Sequence, residues 1–144
     1  MTYKEIIDLR NRTNAFAITN GIRVTELSKG YARVHVNITK DMLNPSNSVH
    51  GGLLFTMCDA ASGSAASSYG DHVTTVDSSF HYLKAAIDVP ELFAEAREIK
   101  HGRRVMVIET DVTDREGTRY CRGIFTFMKL KLPLQAGKAE ETAK

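Results

Sequence analysis

An α+β fold in which one curved antiparallel sheet encloses a long helix is predicted by three features of the chain. Apolar and polar residues alternate from Ile22 to Ile38; helical spacing runs from Gly51 to about Ser68; and four strand-like runs joined by turn signals follow. Thr2-Tyr-Lys-Glu5 is a capping-box pattern, and Ile6, Ile7 and Leu9 supply part of an apolar face, so a short N-terminal helix to about Asn11 is expected, ending near Arg12. Between Ile22 and Ile38, Ala32, Val34, Val36 and Ile38 share one face of a strand, while Tyr31, Arg33, His35 and Asn37 share the other. Ser28-Lys-Gly30 is the turn between two such strands, and Lys40 to Ser48, with its Asn, Asp, Ser and Pro, is a connecting loop.

In the helix after this loop, Leu54, Met57, Cys58, Ala61 and Ala65 fall at helical spacing among Ala, Ser and Gly. Small side chains let other elements approach closely, which predicts a central helix wrapped by the sheet. Strands are expected at Val73 to Leu83, Leu92 to Ile99, Val105 to Val112 and Tyr120 to Leu130. His101-Gly102 and Asp114-Arg-Glu-Gly117 provide hairpin turns. The reading is one domain over residues 1–132, followed by a polar tail from Pro133 to Lys144 that is expected to be disordered.

A chain of 144 residues can bury roughly two-thirds of its unfolded surface without a disulfide or metal staple. Cys58 and Cys121, each in an apolar stretch, read as small buried hydrophobes of a reduced cytoplasmic protein. The N-terminal residues include acids and no long apolar core, so neither a signal peptide nor a membrane span is expected. The formal net charge is only +2 and the basic residues are scattered, which argues against nucleic-acid binding. A local basic cluster remains able to hold a phosphorylated small molecule.

The chemistry is concentrated in Asn44-Pro-Ser-Asn-Ser-Val-His50-Gly51-Gly52-Leu-Leu-Phe-Thr-Met-Cys58-Asp59, where a glycine-opened helix start is followed by a lone carboxylate among apolar residues. Nine helical steps put Asp59 about 13 Å from His50 and about half a turn round the axis. One chain therefore cannot bring both to the same atom. A site using both would take the helix start from one subunit and the carboxylate from another, which points to a homo-oligomer.

Other chemistries fit poorly. Cys58 and His50 would lie about 12 Å apart along the helix, too far for proton transfer within a nucleophilic pair. There is no Gly-x-Ser-x-Gly elbow, no glycine-rich phosphate loop and no metal-ligand spacing among the five histidines, so neither a metal nor a resident cofactor is expected.

With Asn44 six residues before His50-Gly51-Gly52, Asp59 nine after the histidine, then Thr75-Val-Asp77-Ser-Ser-Phe-His-Tyr-Leu83 and His101-Gly102-Arg103-Arg104, the chain resembles the hotdog-fold thioesterases over Ile22 to Leu130. The likeness is to their PaaI-like branch, which hydrolyses acyl-coenzyme A. It implies a six-stranded sheet around the helix, dimers joined edge to edge that often pair into tetramers, and two equivalent sites at the dimer interface. By the same resemblance, Asn44 helps orient the thioester carbonyl, and His50 lies near the sulfur, holding the loop and aiding thiolate departure. Asp59 of the partner subunit is the general base for water or, as a second reading, a nucleophile forming an anhydride. Thr75, beside Thr74, falls where the family often places a hydroxyl that bonds the water. The Gly51 N–H, unpaired at the positive end of the helix, can receive the oxyanion, and Gly51 and Gly52 leave room for the acyl group.

Taken alone, Asp59 reads as a core cap or pair, and His50 as a loop residue; the framework of Asn44, His50 and Gly51 upstream turns the reading toward catalysis. Lys100-His-Gly102-Arg103-Arg104 is by default a solvated turn. The resemblance places coenzyme A contacts near it and near Lys84, and Arg can clamp phosphate in a bidentate manner. Coenzyme A enters here as part of the substrate. An acyl-CoA-binding hotdog protein without catalysis is the alternative, and a hotdog dehydratase a third reading. The acyl group, aromatic or medium-chain, stays open, because Phe55, Met57, Tyr69, Phe80 and Tyr82 serve equally as core or pocket.

Overall fold

The computed structural model describes residues 1–134. Helix α1, Tyr3–Thr13, opens on the expected capping box: the Thr2 hydroxyl accepts from the Glu5 N–H, and the Glu5 carboxylate accepts from the Thr2 N–H at 2.7 Å. Those two bonds hold the Glu5 carboxyl below its ordinary pKa. A second helix, α2, Ala15–Thr19, was not expected. Five residues are too few to display a helical apolar period, and Asn14 offers it no side-chain cap. Asn11 fastens α1 to the sheet, its amide donating to Val24 O and accepting from Val24 N–H, each at 2.8 Å.

The strands are β1 (Arg23–Ser28), β2 (Tyr31–Asn37), β3 (Asp71–Tyr82), β4 (Glu91–His101), β5 (Val105–Thr113) and β6 (Arg119–Pro133). They form one six-stranded antiparallel sheet in the order β1-β2-β4-β5-β6-β3. The fold is α+β, the six-stranded antiparallel sheet with a long central helix that the sequence predicts. Gly30, at φ +68, turns β1 into β2 as expected. The tail expected from Pro133 begins inside a strand: Pro133 pairs with Asp71, and the Leu134 N–H donates to Gly70 O. Residues 135–144 of that tail lie outside the described residues.

Helix α3, Gly51–Ser67, lies against the concave face of the sheet. Every residue from Ala60 to Ser67 is buried, which only small side chains permit in a helix walled in by Ala32, Ala94 and Ala96. Cys58 and Cys121 are buried, free and 3.9 Å apart, the packing role expected of them; burial and Cys121 push the Cys58 thiol well up. No helix among the described residues is long and apolar enough to cross a membrane.

Strand β3 ends the sheet, with most of its residues exposed and its outer edge unpaired among the described residues. Where it meets β6, Gly123 faces Phe80: a Cβ there would lie 2.7 Å from the Phe80 ring, 2.8 Å from the Phe125 ring and 3.3 Å from Ser79 O. Gly123→Ala is therefore expected to destabilise the protein by about 1–3 kcal/mol. The check is a lower denaturation midpoint with an unchanged denaturant slope; an unchanged midpoint would show that the aromatic rings give way freely.

Candidate active site

The loop before α3 is built around one side chain. The Asn44 Oδ1 accepts from the Ser46 and Ser48 N–H groups at 2.9 and 3.1 Å, and its Nδ2 donates to the Ser48 Oγ at 2.8 Å. This asparagine turn consumes one amide hydrogen and leaves the second to point elsewhere. The loop is pinned at its end by Val49 N–H to Ala86 O and His50 N–H to Met42 O. Its wall, with Gly51 and Leu54 of α3 and the segment from Tyr82 to Ala86, encloses a cavity of about 420 Å³ that includes Lys84.

His50 is the N-cap of α3, its Nδ1 accepting from the Gly52 N–H at 2.8 Å. A backbone N–H can only donate, so Nδ1 carries no proton and the ring proton sits on Nε2. This cap requires Gly52, whose Cβ would meet Nδ1 at 2.9 Å. Gly51, the first helical residue, has an N–H that finds no partner among the described residues. It lies at the positive end of a 17-residue helix and beside the cavity, so it is available to a developing oxyanion. The Tyr82 ring covers Gly51: a Cβ there would fall 2.9 Å from the ring, and the Tyr82 hydroxyl donates to Gly51 O at 3.0 Å. Partial burial raises the pKa of that hydroxyl, which keeps its proton.

Asp59 stands eight residues beyond Gly51, about 12 Å along the axis, and takes no part in lining the cavity. Its Oδ1 accepts from the Thr75 Oγ1 at 2.7 Å. Among the described residues its other oxygen has no hydrogen-bond donor, so one lone-pair face is held and the other is free for water. Thr75 pairs with Phe127 next to the irregular step between Thr75 and Asp77 in β3. Of the two adjacent threonines it is Thr75, and not Thr74, that reaches the carboxylate.

The protomer thus joins Asn44, Gly51 and Lys84 around one cavity, sets His50 and Gly52 at its helix cap, and joins Asp59 to Thr75 elsewhere. The hairpin with Gly102, Arg103 and Arg104 lines no part of the cavity and lies toward the C-terminal end of α3, where Arg104 O accepts from Lys129 N–H, on the strand that pairs with Val73 and Thr74. There His101 contacts Tyr69, Glu98 and Lys129. The Gly102 N–H donates to Val105 O, which a Cβ at Gly102 would approach to 2.5 Å, so the glycine closes the turn. Arg103 and Arg104 are exposed.

Three residues of this neighbourhood were not singled out as site residues from sequence. Ser48 carries a signal, four residues after Asn44 in a loop of turn formers. Tyr82 reads equally as core or pocket from sequence, and its position over Gly51 depends on the fold. Arg10, which reaches α3 beside Gly63, stands four residues after Ile6 and so breaks the apolar face of α1.

Against known proteins, residues 46–121 match the family model described as the thioesterase superfamily. A protein of Archaeoglobus fulgidus that carries a provisional esterase designation is 37% identical over 82 residues, 57% of this chain. The chain spans about half of that relative's length, 53%. The acyl-coenzyme A thioesterase PaaI of Escherichia coli is 27% identical over 103 residues, 72% of this chain and 74% of that one. Among solved structures, a hypothetical thioesterase of Streptococcus pneumoniae with coenzyme A superposes with a TM-score of 0.78 at 29% identity, covering 86% of this chain and 98% of that one. Two variants of that protein, in which an aspartate and a threonine sixteen residues further on are each replaced by alanine, match with TM-scores of 0.71 and 0.70 at 30% identity, each covering 75% of this chain, and 89% and 88% of theirs. With these sequence and structural relatives, the chain belongs to the thioesterase superfamily, in its PaaI-like hotdog branch.

Proposed function

We propose that the protein is an acyl-CoA thioesterase that works as a homodimer with two equivalent sites across the interface. The observation that carries this reading is the separation of two half-sites in one protomer. A free N–H at Gly51 opens onto the cavity, and a carboxylate held by Thr75 stands two turns away on the same helix. The exposed outer edge of β3 is the surface that a second copy would cover, since a long unpaired edge strand is otherwise an aggregation hazard. Pairing of two β3 edges would bring Asp59 of the partner subunit toward the cavity. A sixteen-residue interval joins Asp59 to Thr75, and the aspartate and threonine varied in the Streptococcus pneumoniae protein stand at the same interval.

In the proposed reaction the thioester oxygen accepts from the Gly51 N–H, and the second Asn44 amide hydrogen helps orient the carbonyl. Asp59 of the partner subunit takes a proton from water as its oxygen attacks the carbonyl carbon. The C–S bond then breaks, and His50, with its proton on Nε2, is the group beside the departing thiolate. Lys84 at the cavity, and Arg103 and Arg104 beside Gly102 on the partner's hairpin, would meet coenzyme A phosphates, the ligand chemistry named for the pneumococcal relative. Free buried cysteines at 3.9 Å fit a reduced cytoplasmic setting.

Base and oxyanion donor both come from the chain, so free thiol should be released from at least one acyl-CoA in a panel of aromatic and medium-chain substrates with chelator present. Loss of activity on chelation and its return with zinc would overturn the mechanism. Tight acyl-CoA binding in equilibrium dialysis with no thiol released from any substrate would favour the non-catalytic alternative.

A further inference from the structure

We propose that Arg10 is a positioning residue for Asp59, its guanidinium lying over Gly63 one turn further along α3 and holding the carboxylate in the rotamer that Thr75 binds. The proposal rests on the reading of Asp59 as the base. Arg10 lies outside the matched span of 46–121, on a helix that the family model does not cover. It follows the buried Leu9 on α1 and is itself half-buried, reaching Ser67 and the space beside Gly63 on α3.

The guanidinium is closely housed and poorly satisfied. Its Nη2 would lie 3.1 Å from a Cβ at position 63, where the chain has glycine, and Phe127 closes the same space at 3.5 Å. Glycine inside a helix is disfavoured relative to alanine, and here its missing side chain is the room the guanidinium occupies. Nη1 reaches the Ser67 Oγ at a long 3.4 Å, and the buried Nε has no partner among the described residues. A buried cationic donor left without a partner is costly unless something offsets it. Burial drives the Arg10 pKa down to about 10, and the charge of Asp59 acts in the opposite direction.

The spacing explains why Asp59 is that charge. Residues four apart on a helix have Cβ atoms about 5–6 Å apart, so the group above Gly63 is a near neighbour of the Asp59 side chain. Among the described residues the two form no ion pair within 4 Å. The arrangement is therefore a field across a short gap, which leaves one carboxylate oxygen free for water. Thr75 anchors Oδ1 from β3, and Arg10 acts from the α1 side. Without the cation, a single hydrogen bond would hold the base, and loss of alignment at a reacting group lowers turnover steeply.

The test compares Arg10→Met, Arg10→Gln and Arg10→Lys with Asp59→Asn, measuring kcat and KM separately and melting temperature alongside. The two charge-free variants should lose about 10-fold in kcat with KM near wild type, since Arg10 lines no part of the cavity. Arg10→Lys should recover most of that loss, because it restores the charge. On the Asp59→Asn background, Arg10→Met should add no further loss. A folded charge-free variant with wild-type kcat would overturn the proposal, as would a lysine variant no better than methionine at equal stability. Failure of both charge-free variants to fold would assign Arg10 to the fold and overturn it too. If Asp59→Asn itself keeps normal turnover, the base reading falls with it. If Asp59→Asn is inactive and Arg10→Met unimpaired, only the role of Arg10 falls.

Discussion

Asp59→Asn is expected to lower kcat by about 10²-fold or more while leaving KM near wild type, the scale of losing a general base. The substitution is nearly isosteric. Its side-chain oxygen can still accept from the Thr75 hydroxyl, which now bonds Asp59 at 2.7 Å, so the local geometry should survive. What disappears is the basic lone pair on the second oxygen, replaced by an amide that donates and cannot take a proton from water. Binding should persist, because a general base makes its contribution in the transition state rather than in the bound substrate. In free energy a 10²-fold loss is about 2.7 kcal/mol of transition-state stabilisation. Asp59→Ala should be impaired similarly, but it also deletes the acceptor for Thr75, so the asparagine variant isolates the chemistry. Near-normal turnover by Asp59→Asn would remove this residue from the catalytic step. Trapping of an acyl group on Asp59 during turnover would replace the base by the nucleophile, and the anhydride reading would stand.

The parts of the molecule that local periodicity encodes were open to reading. Alternation placed Ala32, Val34 and Val36 on the buried face of β2, and the small residues after Cys58 placed α3 inside the sheet, because both patterns record burial directly. The five-residue α2 escaped because it is shorter than the period that would reveal it. Within the site, the glycines adjoining the cap and the turn-forming loop around Asn44 are local devices, so the sequence order of Asn44, His50, Gly51 and Gly52 carried them. Tyr82 lies on Gly51 across 31 residues, and Arg10 reaches Gly63 and Ser67 from a separate helix. Contacts of that kind are made by strand register and helix docking. A charged residue breaking the Ile6 and Leu9 face of α1 was the one visible trace of the second.

Mixing two inactive chains should restore activity, and the amount restored follows from the placement of the half-sites. Asn44 and Gly51 border the cavity at one end of α3, while Asp59 stands about 12 Å further along the same helix and outside that cavity. If each working site takes its cavity from one subunit and its base from the other, Asp59→Ala and Asn44→Ala chains are each nearly inactive as homodimers. In a mixed dimer, one site carries both lesions. The other combines the intact Asn44 of the first chain with the intact Asp59 of the second. Random pairing of equal amounts makes about half of all dimers mixed, each with one intact site out of two, so roughly a quarter of wild-type activity should return. Two copies of a single-site mutant cannot produce that recovery by partial activity, since the mixture would then only average the two parents. The measurement is kcat per protomer after co-expression, with heterodimers verified by mass and the Asn44→Ala chain checked for an intact fold, because Asn44 also bonds the backbone of its own loop. Verified, folded heterodimers no more active than the mean of the parents would place both residues in one subunit's site, and the shared interface would have to be abandoned.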